Sequence, residues 1–217
     1  MNSMNKSLAT VGMAVGLALG AASASATVID AWKLNLSLLN GVALSDSSVI
    51  AGASNANNID HIVVNGKAVV NQTVVGGSAL GQPFVDTGYL QLLANSRESG
   101  GAAVNLNFGT AGVDSFGDPK PVFGYFTYDS LTGILNADGT ITFNPFSGTV
   151  KLWVENDGDL IPTTGGVLEI AEFDIIAPSG GSNLDFFGGT ASNSTVDITL
   201  DVASVTPGFA NFFLNSS

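Results

Sequence analysis

From Thr195 onward the chain alternates polar and apolar side chains. Val196, Ile198, Leu200 and Val202 fall on one side, and Thr195, Asp197, Thr199 and Asp201 on the other. A period of two marks a strand with one face in a core and one in water, because successive Cβ atoms of extended backbone point opposite ways. The same period recurs from Ala31 to Leu39, where Trp32, Leu34, Leu36 and Leu38 oppose Lys33, Asn35 and Ser37 before Asn40-Gly41 ends the run. No stretch after Ala26 carries a sustained 3.6-residue period with caps, and the many β-branched residues disfavour helix further. At most one or two short helices are expected.

The other predicted strands follow from alternation bounded by turn residues. Ile59 to Val64 and Lys67 to Val75 flank Asn65-Gly66, a dipeptide suited to a type I′ hairpin turn. Strands are expected at Thr87 to Leu93, Ala102 to Phe108 and Val167 to Ile176. Between Val122 and Asn156 a meander is expected, with strands Phe123 to Tyr128, Gly139 to Phe143 and Thr149 to Val154. The Ser/Ala/Asn-rich stretch Ser45 to Asn58 reads as a loop. With no crossover helices to support a parallel sheet, the pattern predicts an all-β, antiparallel β-sandwich of jelly-roll type, with an open β-barrel as the alternative.

The N-terminus has the layout of an export signal: Lys6, an apolar run from Leu8 to Ala22, and the small residues Ala24-Ser25-Ala26. Residues 1–26 are read as a signal peptide and 27–217 as a single β domain, secreted to the exterior or cell surface of a Gram-negative bacterium. The apolar run is too short and too rich in Gly and Ala for a spanning helix, which needs about 20 strongly apolar residues. No other stretch reads as a transmembrane helix. The chain has no cysteine, so disulfides, thiol nucleophiles and thiolate metal sites are excluded. Its formal net charge of −12, one unit more negative without Lys6, and its single arginine, Arg97, argue against nucleic acid, which selects clustered cations.

No catalytic constellation emerges. His61 is the only histidine, lies in a predicted strand, and has no Gly-x-Ser-x-Gly elbow anywhere to serve. Glu169 and Glu172, three residues apart, are expected on opposite faces of their strand, and Glu172 and Asp174 on the same face. Asn156-Asp157-Gly158-Asp159, Asp114 to Asp118 and Asn136 to Gly139 offer hard oxygen ligands, with Asp157 and Asp159 the first candidates for calcium. The same residues are what β-turns select. The glycine pairs Gly76-Gly77, Gly180-Gly181 and Gly188-Gly189 precede no helix and read as bends rather than phosphate cradles. Among the aromatics, Tyr89, Tyr125 and Tyr128 are candidates for a glycan-stacking platform, whereas Trp32 and Trp153 read as core.

Asn58-Ile-Asp-His-Ile-Val-Val-Asn-Gly66, Val70-Asn-Gln-Thr-Val-Val-Gly-Gly77 and Gly81-Gln-Pro-Phe-Val-Asp-Thr-Gly88 resemble exported proteins of the PEP-CTERM class, above all those associated with flocculation in exopolysaccharide-producing bacteria. Phe146 to Trp153 and Ser194 to Leu200 extend the resemblance over most of residues 27–217. Members of that class carry a Pro-Glu-Pro sorting tail, which does not occur in this sequence. The resemblance implies a non-enzymatic extracellular matrix or cell-surface role in flocculation or biofilm cohesion, with extracellular polysaccharide or other matrix proteins as partners. It carries no catalytic residue and no cofactor. A carbohydrate-binding module or weak glycan-active enzyme, and an outer-membrane β-barrel, are the rival readings. Self-assembly through unpaired strand edges is a further expectation.

Overall fold

The computed structural model describes residues 13–17, 32–59, 61–96, 103–162, 165–182 and 195–215. The strands are β1 (Met13–Leu17), β2 (Trp32–Leu34), β3 (Ile50–Ala51), β4 (Ala56–Ile59), β5 (His61–Gln72), β6 (Gln82–Ser96), β7 (Val104–Asn105) and β8 (Thr110–Val113). They continue with β9 (Pro119–Pro121), β10 (Phe123–Leu135), β11 (Ile141–Phe143), β12 (Thr149–Glu155), β13 (Val167–Ser182), β14 (Thr195–Val205) and β15 (Phe213–Asn215). One 3₁₀ turn, Leu36–Leu39, is the only helical element among the described residues.

The chain is an all-β sandwich. A nine-stranded sheet runs in the order β1-β14-β13-β11-β10-β6-β5, with β12 also lying between β10 and β13, and β7 on β6. Two three-stranded sheets, β15-β2-β4 and β3-β8-β9, complete the fold. The core joins Leu34, Leu36 and Phe212 from the small-sheet side to Phe126, Leu152 and Phe173 on the inner face of the large sheet. Phe173 lies at its centre, edge-on to Phe126 at 5.9 Å and to Phe213 at 6.0 Å. The large sheet is not a closed barrel: its end strands β1 and β5 come into contact but share no ladder.

β10 and β13 hold the sheet together because each pairs with three strands, one edge being shared between β11 and β12 and the other given to β6 or β14. β12 pairs with Phe123–Asp129 of β10, and β11 with Gly133–Leu135 beyond an irregularity at Ser130, whose φ is 57°. Period-two alternation sets which face is buried. Val150, Leu152 and Val154 of β12 point into the core, and Thr149, Lys151 and Trp153 point out.

Several expectations are corrected. Asn65-Gly66 is not a turn: β5 runs through it, with Asn65 opposite Gln91 and Gly66 opposite Leu90. Gly66 serves close approach instead, since a Cβ there would overlap the Tyr89 carbonyl oxygen. The hairpin turns at Gly76-Gly77, where φ values of 60° and 84° and reciprocal Val75–Ser78 hydrogen bonds of 3.0 Å give type I′ geometry. Gly180-Gly181 lies within β13 rather than in a bend. The segment expected as one strand from Ala31 to Leu39 is broken within its described part, residues 32–39: after Leu34 the backbone tightens into the 3₁₀ turn, which buries Leu36 and Leu39, three apart, in place of Leu36 and Leu38. Residues 45–58 hold two short strands, β3 and β4, because Ile50 and Ile59 are needed in the core.

The segment read as an export signal is described only at β1, which runs parallel to β14 from Met13 opposite Val196 to Leu17 opposite Leu200. Antiparallel pairing is expected throughout, so this ladder is a departure. Cleavage after Ala26 would remove it and leave β14 as an edge. The cleavage motif at residues 24–26, Arg97, Asp60 and Gly188-Gly189 lie outside the described residues, as do the side chains of Trp32 and His61.

Candidate functional site

The outer face of the large sheet and the loop joining β12 to β13 bring together most of the chemistry-bearing side chains. Cross-strand register builds two rows. Asn65, Gln91, Tyr125, Trp153 and Glu169 lie across β5, β6, β10, β12 and β13, and Lys67, Tyr89, Thr127, Lys151 and Glu172 lie beside them. Trp153 is half-buried on this face, not in the core, because it is out of phase with Val150, Leu152 and Val154. Its indole N–H donates to Thr127 Oγ1 at 2.9 Å, which fixes the ring, and Lys151 Nζ stands 5.7 Å from the ring centroid. Tyr89, opposite Thr127, is half-buried on the same face.

Lys151 is held by two carboxylates, Glu169 at 2.8 Å and Glu172 at 3.3 Å. This corrects the expectation that the two glutamates face opposite ways. Leu152 pairs with Ala171 and Trp153 with Glu169, so Ile170 is an extra residue, and the bulge returns both glutamates to one face. The hydrogen bond from Lys151 to Glu169 raises the ammonium group's pKa, and partial burial opposes it.

Tyr125 and Tyr128 are not available for stacking. Tyr128 points inward, beside a small apolar cleft also lined by Leu90, Phe126, Val150, Ile198 and Leu200. Tyr125 points outward but is wholly inaccessible, set against the loop bearing Asp157 and Asp159. Burial pushes both phenols well above their ordinary range, helped at Tyr125 by Glu155, Asp159 and Asp157, and at Tyr128 by Asp86.

The loop's carboxylates first serve its own backbone. Glu155 Oε1 accepts from Leu160 N–H at 2.9 Å, Asp157 Oδ1 from Asp159 N–H at 3.4 Å, and Asp159 Oδ1 from Ile161 N–H at 2.8 Å. Buried Asn156 pins the loop: its Nδ2 donates to Asp46, Ser48 and the Ala111 carbonyl, and its Oδ1 accepts from Gly166 N–H. Glu155, Asp157 and Asp159 present ligand oxygens within 4.8 Å of one another. Glu155 is wholly inaccessible, and burial first, then Asp157 and Asp159, pushes its carboxyl up to about 7. Sequence reading found Asp157 and Asp159 but missed Glu155. The available signal was an acid at the outward position that ends β12.

The other acidic turns are closed on themselves. Asp114 Oδ1 accepts from the N–H groups of Phe116 and Asp118, and Asp138 Oδ1 from the Thr140 N–H and hydroxyl. The Thr140 bonds hold the Asp138 carboxyl below its usual range.

Asp86, on the inward side of β6 beside Tyr128, supplies a pH test. Burial pushes its carboxyl up to about 6 from 3.8, with a Thr87 N–H bond opposing. The folded chain therefore holds this proton more tightly than the unfolded one. The stability it adds is fully present below pH 3.8 and is lost as pH rises through about 6. Asp86→Asn is expected to flatten this slope, worth about 1–2 kcal/mol after allowing for partial exposure. Calorimetric melts from pH 4.5 to 7.5 check this, and an unchanged slope in the variant contradicts it.

Comparison with family models, with curated proteins and with solved structures gave no match. What the fold defines is a β-sandwich, antiparallel except for the β1–β14 ladder, with a wet, aromatic-bearing outer face and an acidic loop at its rim.

Proposed function

We propose that this is a secreted, non-enzymatic protein of the extracellular matrix or cell surface, acting in bacterial flocculation or biofilm cohesion, and that it contacts polysaccharide through the outer face of the large sheet. The observation that carries the reading is Trp153, an indole clamped by Thr127 on the outward face within a field of hydrogen-bonding side chains. A pre-fixed ring loses little conformational freedom on contact, and flat aromatic rings with polar neighbours suit the apolar faces and hydroxyl rims of pyranose units. Tyr89 supplies a second ring across Thr127. The signal-like layout of residues 1–26 and the resemblance to flocculation-associated proteins, both read from the sequence, support the same role.

The charge pattern favours a neutral glycan. Lys151 is neutralised by Glu169 and Glu172, and Asp174 faces Asp201 across the next strand pair, so an anionic polymer would meet net repulsion there. Co-sedimentation with a neutral extracellular polysaccharide is expected for the wild type. Trp153→Ala should weaken it by roughly 5- to 150-fold, in line with about 1–3 kcal/mol for removing a stacking ring, and Tyr89→Ala by less. Equal co-sedimentation of wild type and Trp153→Ala would sink the reading. Pelleting without polysaccharide would favour protein-only assembly along the long edge strand β5, where Val63, Val69 and Val70 are exposed.

A further inference from the structure

We propose that Glu155, Asp157 and Asp159 form a calcium site that locks the loop between β12 and β13, an inference that stands apart from the glycan reading. Acidic clusters are common on protein surfaces, and two buried oxygens set this one apart. Glu155 is wholly inaccessible, yet its Oε2 has no hydrogen-bond partner. Tyr125, also wholly inaccessible, comes from the neighbouring strand with an unpartnered hydroxyl that feels the charges of these same three acids. Native interiors rarely leave buried polar atoms unsatisfied, and a charged one is the most costly. Three carboxylates at this spacing also repel one another. A positive ion among them answers both problems at once.

The donor set and its span select the ion. All three side chains offer hard oxygen, which suits calcium or magnesium over zinc. Oxygens on opposite sides of a calcium ion, each at about 2.3–2.6 Å, lie about 4.6–5.2 Å apart, whereas magnesium draws them to about 4.2 Å. The three carboxylates place ligand oxygens within 4.8 Å of one another, close enough for one calcium ion to bridge them without drawing the loop tighter. Asp157 and Asp159 are exposed, so water can complete a coordination of about six to eight oxygens. The Tyr125 hydroxyl can then donate to a carboxylate or to a bound water. The competing arrangement is a proton shared between Glu155 and Asp157, with no metal.

Titration of the purified protein with calcium chloride, followed by calorimetry and thermal melts, separates the two, with terbium emission sensitised by Tyr125 as a direct probe. The expected result is one ion per chain with a dissociation constant of roughly 10⁻⁴–10⁻³ M. Melting should rise by about 3–10 °C at about 10 mM calcium. The double change Asp157→Asn/Asp159→Asn, on exposed positions, should abolish the rise and leave the apo melting point close to wild type. Glu155→Gln should weaken binding at least about tenfold, and Asp114→Asn should change nothing. No melting shift together with no sensitised emission overturns the proposal in favour of the shared proton. A shift of equal size in the double variant overturns it too. Polysaccharide binding that survives chelation alongside an absent calcium shift removes this inference alone, and the converse removes only the glycan reading.

Discussion

Gly124→Ala is expected to destabilise the chain by about 3 kcal/mol, lowering its melting temperature by roughly 6–12 °C. A Cβ at this inward position of β10 would overlap the ring of Phe108, which is 3 % exposed and lies directly over the glycine. Backbone hydrogen bonds to both β6 and β12 prevent β10 from retreating. The ring must therefore leave, and the segment between β7 and β10 loses its anchor. A double-mutant cycle identifies this cause. Phe108→Ala alone should cost about 3–4 kcal/mol, and adding Gly124→Ala should cost little more because the overlap has gone. Additive losses in the double variant would show that the ring is not what Gly124 accommodates.

Phe173→Ala is expected to cost about 4 kcal/mol, the largest loss for any single truncation named here. Phe173 is 1 % exposed at the middle of β13, and its ring joins Phe126 of the large sheet to Phe213 of the small one. Its removal takes away the transfer energy of a full ring, two edge-on aromatic contacts and the main bridge between the layers. Phe173→Leu should cost only about 1–1.5 kcal/mol, because most of the volume is kept. Urea unfolding of the three proteins checks the ranking, and a loss below about 1.5 kcal/mol for Phe173→Ala would mean that the layers are not joined through this ring.

The period-two signal was legible wherever a strand is wet on one side. Thr195 to Val205 is the strand the alternation predicts, and Thr149 to Val154 is extended only by Glu155. Alternation failed where a local break keeps the apolar spacing but changes the backbone, as at Leu36 to Leu39. Asn65-Gly66 misled because the dipeptide permits positive φ without requiring it, and a long partner strand, β6, overrides it. The bulge at Ile170 adds one residue that no side-chain pattern reveals, and it decides where Glu169 points. Of the candidate site, Asp157, Asp159 and Tyr89 were legible. Trp153 could have been read from its phase against Val150, Leu152 and Val154, whereas the burial of Tyr125 depends on a loop whose path is set by Asn156 reaching Asp46 and Ala111, far away in sequence.

The most direct measurement of the functional reading is an array of neutral and uronic-acid-containing glycans probed with the wild type and with Trp153→Ala, in calcium throughout. The outer face of the large sheet should retain neutral hexose chains, release them on Trp153→Ala, and show no preference for acidic ones. Absence of any glycan binder, or binding that Trp153→Ala leaves intact, would contradict it.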